Sequence, residues 1–390
     1  MPLGPRINDA ILDLVTLEHR VDPYFRDVFN AFFQRPLVDI TQFFLRHIHV
    51  NPETRLCQEI SSSAEAELAA AITLQMENFT KREYAGRTAE RAGNTKTYGV
   101  VRGEFQVLTD IPMPLRKGVF AEPKRYPVWI RFSGPGPLSP PDVADAGILS
   151  IAIKLMGVNG KKFLDDEKET QDFLGISAST FTTPNATENL KLQRQIYART
   201  PVFYFLNPFD SHLLDMVMQG LYARMNTSPL EVQYWSCVPY LCGEGLAVKY
   251  SIRPTSTNKT KIPSRPPADW LKQSMARTLG DREVDLDFLI QTQTDYQRMP
   301  IEDASIEWPE KISPFVPVAR ITILRQRFDS PDQMRFADKL SYNPWHAVPD
   351  HRPLGNQNRA RKLIYTHLSQ LRQSMNRQPH IEPSGNEIFP

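Results

Sequence analysis

The chain has 390 residues, 41% of them hydrophobic and 23% charged, with 46 Lys and Arg against 44 Asp and Glu. That length allows two or three domains or one large elaborated domain; the composition supports a sizeable core and excludes global disorder. A net charge of +2 leaves no basic excess to drive binding to nucleic-acid phosphates. The 33 prolines against 18 glycines imply many fixed turns and long ordered connections, and there are only 8 histidines.

The first fifteen residues lack a basic stretch followed by an apolar one, so no secretory signal is expected. Every long apolar stretch is interrupted by charge, which argues against a membrane span. Cys237 and Cys242 lie five apart with no histidine nearby, and Cys57 is remote, so all three read as reduced packing residues of a cytoplasmic protein. On that reading the sequons at Asn78, Asn185, Asn226 and Asn258 carry no meaning. The end, Glu387 to Pro390, is not a peroxisomal tripeptide.

Residues 1–85 read as a helical arm. Ile7, Ile11, Leu14 and Val15 recur at helical spacing, Val28, Phe29, Phe32 and Phe33 continue the apolar stripe, and Ala64 to Tyr84 is rich in helix formers. Over 86–330 the period changes to two. Strands are expected around Val101–Phe105, Val128–Phe132, Leu149–Leu155, Leu246–Ile252, Val284–Ile290 and Val318–Leu324, separated by Pro- and Gly-rich punctuation such as Gly134-Pro135-Gly136-Pro137. One helical insertion, near 207–225, interrupts them. Over 331–390 helix returns, with Leu363, Ile364, His367, Leu368 and Leu371 on one face. The order predicts an α+β protein built on an antiparallel barrel or strongly curved sheet.

General motifs identify little. No Walker loop and no strand–GxGxxG–helix is present, and no GxSxG elbow surrounds Ser133. His47 and His49 could supply two metal ligands only if a third group converged on them; the ordinary alternative is a helix end with exposed imidazoles. The acidic run Asp165-Asp166-Glu167 reads as a solvated turn.

Three segments, in order, carry a resemblance. RAGNTKTYGVVRGEF (Arg91 to Phe105) resembles a family stretch Arg-x-x-His-x-Lys-x-x-Gly leading into a first barrel strand. YPVWIRFS (Tyr126 to Ser133) is similar to a strand ending Arg-Phe-Ser and is followed by an apolar strand ending near Leu155. NPWHAVPDHRPLGN (Asn343 to Asn356) is similar to a proximal segment ending His-Arg-Pro-Leu-Gly. Together they resemble the haem catalase superfamily, especially its short catalase-related branch, across about 85–375. The resemblance implies a catalase-like antiparallel β-barrel with N-terminal and C-terminal helices, a buried haem b and peroxide substrates.

Within that resemblance the chain departs from the family. Asn94 stands at the distal histidine, and an amide cannot act as a general base near neutral pH. The distal asparagine falls at Ser177. The proximal tyrosine falls at His346, or at Trp345 with a gap, while Tyr342 takes roughly the proximal arginine position and is the other candidate ligand. Arg91, Arg131 and Arg352 match haem-associated arginines; salt bridging within the barrel is the alternative, and Lys96 reads as structural. The expectation is therefore catalytic roles for Asn94 and Ser177, cofactor binding by Arg91, Arg131 and Arg352, and iron ligation by His346. The implied activity is transformation of an organic hydroperoxide, from a fatty acid or a secondary metabolite, without efficient dismutation of hydrogen peroxide. The alternatives are a haem-free enzyme doing lyase, dehydratase or isomerase chemistry in the same cavity, and a non-catalytic binding protein. The expected partner is a small organic molecule, not nucleic acid, and a homo-oligomer is compatible with the resemblance.

Overall fold

A computed structural model describes residues 3–145 and 147–389. Its centre is a closed antiparallel barrel. In chain order the strands are β1 (Thr97–Val107), β2 (Arg125–Ser133), β3 (Ser150–Met156), β4 (Thr170–Ile176), β5 (Tyr234–Trp235), β6 (Tyr240–Leu241), β7 (Ala247–Pro254), β8 (Val284–Thr292) and β9 (Val316–Ile323). Pairing runs β5-β4-β3-β2-β1-β9-β8-β7, and β5 pairs with β7 to close an eight-stranded ring; β6 adds only a short hairpin to β7. Closure leaves little free strand edge, most of it on β4, which β5 meets only at Ile176.

The period-two pattern decides what faces inward. Val101 and Phe105, Val128 and Ile130, Ile151 and Ile153, and Phe288 and Ile290 all join one buried cluster. Phe288 sits at its heart, with ring centroids 4.9 Å from Phe173, 5.2 Å from Tyr250 and 5.3 Å from Phe105. Each such side chain contributes about 1.5–3 kcal/mol by burial. An eight-stranded barrel has room for little more than its own side chains, and here it is full.

Helices wrap the barrel. They are α1 (Leu3–Phe29), α2 (Arg35–Ile48), α3 (Glu65–Glu83), α4 (Ala186–Tyr197), α5 (Val202–Phe205), α6 (Leu213–Tyr222), α7 (Trp270–Asp281), α8 (Pro331–Lys339) and α9 (Asn356–Asn376). α3, α4 and α9 share a small core of their own around Ile72, Leu190 and Ile364. Among the described residues no helix is long and apolar enough to cross a membrane.

The six expected strands are present. β4 and the two-residue β5 and β6 were not foreseen. The arm is not helical throughout, because residues 49–64 form an irregular connection before α3. The insertion is larger than expected and starts near Asn185, whose side chain caps α4 by accepting from Glu188 N at 3.1 Å.

Candidate functional site

Of the residues singled out by the resemblance, Arg131 lies on β2 and Ser177 just past the end of β4, and pairing register explains the neighbours they meet on the outer face of β2–β4. Apart from Gln171, the large inward residues of these strands are apolar, and the alternating outward positions carry Arg131, Lys154 and Asp172. Lys154 lies opposite Trp129 on one side and Asp172 on the other; Arg131 lies opposite Ala152. β5 meets β4 only at Ile176, leaving much of that edge free for the 343–348 segment. There Asp172 N donates to His346 O at 2.9 Å, and Val348 N donates to Gln171 Oε1 at 3.0 Å. The loop thereby covers the charged row.

His346 is 1% exposed under this cover. Its Nδ1 lies 2.9 Å from Asp172 Oδ2 and 3.3 Å from Glu167, and its Nε2 lies 3.1 Å from Asp166 Oδ1. Burial and the neighbouring Lys154 ammonium oppose its charge, but Glu167, Asp166 and Asp172 outweigh them and push its pKa up to about 9. It is an imidazolium at neutral pH. Lys154, fully buried, donates to Glu167 and stands 2.8 Å from Asp172. Burial works against its charge as well, and the two carboxylates raise its pKa nonetheless. Two cations thus face three carboxylates, with His380 Nε2 a further 3.4 Å from Glu167.

By residue type, Glu167, Asp172 and His346 could hold a divalent cation, since their ligand atoms lie within 4.8 Å of one another. Lys154 Nζ already contacts all three, 3.3 Å from His346 Nδ1, so an ammonium stands among these ligand atoms. The acidic run is accordingly not a solvated turn. Only Glu167 goes inside, at 1% exposed; Asp165 and Asp166 reach solvent, the Asp166 side chain 37% exposed.

Tyr342 joins this cluster to a second one. The Lys154 ammonium lies 5.6 Å from its ring centroid, and burial raises the phenol pKa while Arg91 opposes that rise, so the ring is a neutral phenol. Beyond it are three guanidinium groups, on the buried Arg131 and Arg372 and the half-buried Arg91. Arg91 donates to the carbonyls of Ala337 and Leu340, and Arg372 of α9 donates to those of Asp338 and Leu340. Arg131 donates to Asn94 O at 2.5 Å, Thr97 Oγ1 at 2.9 Å and Ser133 Oγ at 2.9 Å. Among the described residues none of the three forms a salt bridge. Burial lowers the pKa of each, and Arg131 and Arg372 are both further depressed by Arg91.

Asn94 adopts φ +49°, a left-handed conformation that asparagine tolerates. Its amide oxygen accepts from Ser150 Oγ at 2.7 Å. Ser177 makes a reciprocal pair with Leu149, its Oγ accepting from Leu149 N and its N donating to Leu149 O, both at 2.8 Å. Both side chains are thus used at one end of β3. Arg352 stands apart from this set, paired with Glu59 at 2.7 Å in a network that includes Arg359. His49 binds Asp303 at 2.7 Å, and His47 Nδ1 bonds Phe43 O within its own helix. All three cysteines are free.

Haem makes specific demands of these residues, and as arranged they do not meet them. Iron needs an axial lone pair or an oxyanion. His346 has both ring nitrogens engaged by carboxylates, and Tyr342 is protonated. The Asn94 and Ser177 side chains turn into the wall of β3. Ordinary sequence signals missed Lys154, Glu167, Asp172 and Arg372. Lys154 and Asp172 do have a readable mark, a lone charge inside an otherwise apolar strand.

An open cleft of about 630 Å³ lies beside the cluster, between α3 and α9, with Glu65, Leu164, Arg359 and Thr366 in its wall. Asn343 connects the two: its side-chain amide donates to Thr366 at 3.1 Å and its backbone N donates to Asp172 at 2.8 Å.

No protein-family model matches the chain, and no curated protein matches it in sequence. Solved structures do match its fold. A fungal catalase aligns with TM-score 0.58 at 14% identity, covering 85% of this chain and 70% of that one. A bacterial catalase aligns at 0.55 and 15%, covering 88% and 71%. Catalase A from Saccharomyces cerevisiae aligns at 0.58 and 14%, covering 88% and 74%.

Proposed function

Because this chain has the catalase fold, with the family's axial positions rewritten, we propose that it is a haem-free enzyme moving protons on a small organic substrate. The observation that carries this reading is the double engagement of His346 by Asp172 and Asp166. A buried imidazolium between carboxylates is a proton donor, not a metal ligand. Asp172, Glu167 and Lys154 fix its orientation and charge. Asp166 links it to solvent, so the His346–Asp166 pair is where a proton can be exchanged with a bound molecule. The reaction class that fits is lyase, dehydratase or isomerase chemistry, which needs proton transfer and no electron acceptor. The cleft beside Asn343 is large enough for a small organic ligand.

A second reading has its own support. Buried and half-buried guanidinium groups without carboxylate partners suit an anionic group, and Arg91, Arg131 and Arg372 form such a set. Haem propionates would satisfy them, as would the carboxylate of a fatty-acid hydroperoxide. Bound haem would supply redox chemistry at iron, and the arginines would hold its acidic edge.

One absorbance scan separates the two. Purified protein mixed with haem and freed of excess is expected to show no Soret band near roughly 400 nm. A stoichiometric Soret band that shifts in His346→Ala would replace the first reading with the second.

A further inference from the structure

Helix α1 is built inside out. The residues it turns toward its own chain are polar and buried: Asn8, His19, Asp22 and Arg26. Asn8 Oδ1 accepts from Val202 N at 3.2 Å, His19 Nδ1 meets Val143 O at 3.2 Å, and Asp22 accepts from Met225 N at 2.8 Å and from Arg26. The face it presents outward is apolar, the reverse of a surface helix.

That outward face repeats every seven residues. Ile7, Leu14, Val21 and Val28 form one row, between 41% and 65% exposed. Ala10, Leu17 and Tyr24, three residues further on in each repeat, form the second, with Tyr24 81% exposed. These are the a and d positions of a coiled-coil seam, and Pro23 falls at c, outside it. The buried polar residues fall at b and f, the positions a coiled coil turns away from its partner.

Charges beside the seam are complementary to themselves. The g positions read Arg6, Asp13, Arg20 and Asp27. Two copies running in opposite directions set Arg6 against Asp27 and Asp13 against Arg20, and bring the Leu14 and Leu17 layers together at the centre. Two copies running in parallel set Asp13 beside Glu18. Area agrees with the need for a partner: the chain exposes 18072 Å². A folded monomer of this mass exposes about 15,600 Å², so the excess of roughly 2,400 Å² exceeds the ~800 Å² each partner gives to a standard interface. A lipid surface fits less well. The first fifty residues carry five arginines and no lysine against six acidic residues, whereas membrane-surface helices have a Lys/Arg-rich polar face.

We propose that α1 is a dimerisation element whose outward heptad seam pairs antiparallel with the same helix of a second copy. Sedimentation of the full chain is expected to give a dimer or an even multiple of one. Leu14→Glu with Leu17→Glu is expected to halve that mass without changing the circular dichroism spectrum. Asp13→Arg alone should weaken association about tenfold or more, and adding Arg20→Asp in the same chain should restore it, since both positions are exposed and the exchange rebuilds the opposed pairs. A monomer at every concentration overturns the proposal, as does a dimer indifferent to both the glutamates and the charge reversal. Monomers that float with phosphatidylcholine–phosphatidylserine vesicles would assign the face to lipid instead.

Discussion

At the residue scale the charge cluster depends on every member. Removing the Lys154 ammonium leaves Glu167 and Asp172, both 1% exposed or less, sharing His346 as their remaining close cation. Breaking one side of such a buried pair costs about 3–5 kcal/mol. Lys154→Met should therefore lower stability by that amount in chemical denaturation, and a loss under about 1 kcal/mol would show that the cluster does not depend on this ammonium. Two buried histidines titrate in opposite senses. His346, raised to about 9 from an ordinary value of 6.5, favours the folded state fully below pH 6.5, and that contribution disappears as pH rises through 9. His351 is lowered to about 4 by burial, and its Nε2 accepts from Val119 N, so its contribution is lost as pH falls from 6.5 toward 4. Thermal melts should peak near pH 6 to 7. His346→Gln should flatten the alkaline limb and leave the acid limb in place; equal change on both limbs would contradict the assignment.

At the element scale the entry to α9 is the critical joint. Gly355, at φ +84°, precedes the helix, and a Cβ there would lie 2.5 Å from the backbone oxygen of Ile301. Neither the conformation nor the contact leaves room for a side chain. α9 then supplies Arg359, whose guanidinium binds Glu59, Glu65 and Glu302, and Arg372 on the far side. Gly355→Ala should cost about 2–3 kcal/mol and displace both arginines. Unchanged melting would show that the 300–302 connection gives way easily. The strands behave differently: their period-two pattern was legible because the barrel interior is uniformly apolar. β4 escaped notice because Gln171 and Asp172 interrupt that pattern, and β5 and β6 because two residues carry no period. Asn185 and Ser330 cap α4 and α8 by accepting from Glu188 N and Gln333 N, the local start signals of those two helices.

At the scale of the whole molecule, a barrel packed solid with aromatic rings makes its interior a scaffold and moves chemistry to its outside. The barrel fold is similar to that of the catalases, and the charge row under 343–348 lies on its outer side. The same scale governs the arm. α1 is anchored to its own barrel by polar contacts, so its apolar seam remains available for a partner, and loss of the seam should leave the fold and the haem titration unchanged. A seam variant that lost the barrel's cooperative melting would show that the arm holds the fold together.

The sequence by itself determined the barrel and its flanking helices, and it marked Asn94 and His346 as positions to look at. Those follow from local periodicity and from residue identity at recognisable motifs. It could not decide what His346 does, since a histidine's role depends on what faces each nitrogen, and Asp166 and Asp172 lie 180 and 174 residues away in the chain. Nor could it show that Asp165-Asp166-Glu167 goes partly inside, because an acidic run is solvated unless a cation is buried against it. Only the pairing of β3 with β4 brings Lys154 there, and only the docking of α1 shows that its polar face is the covered one.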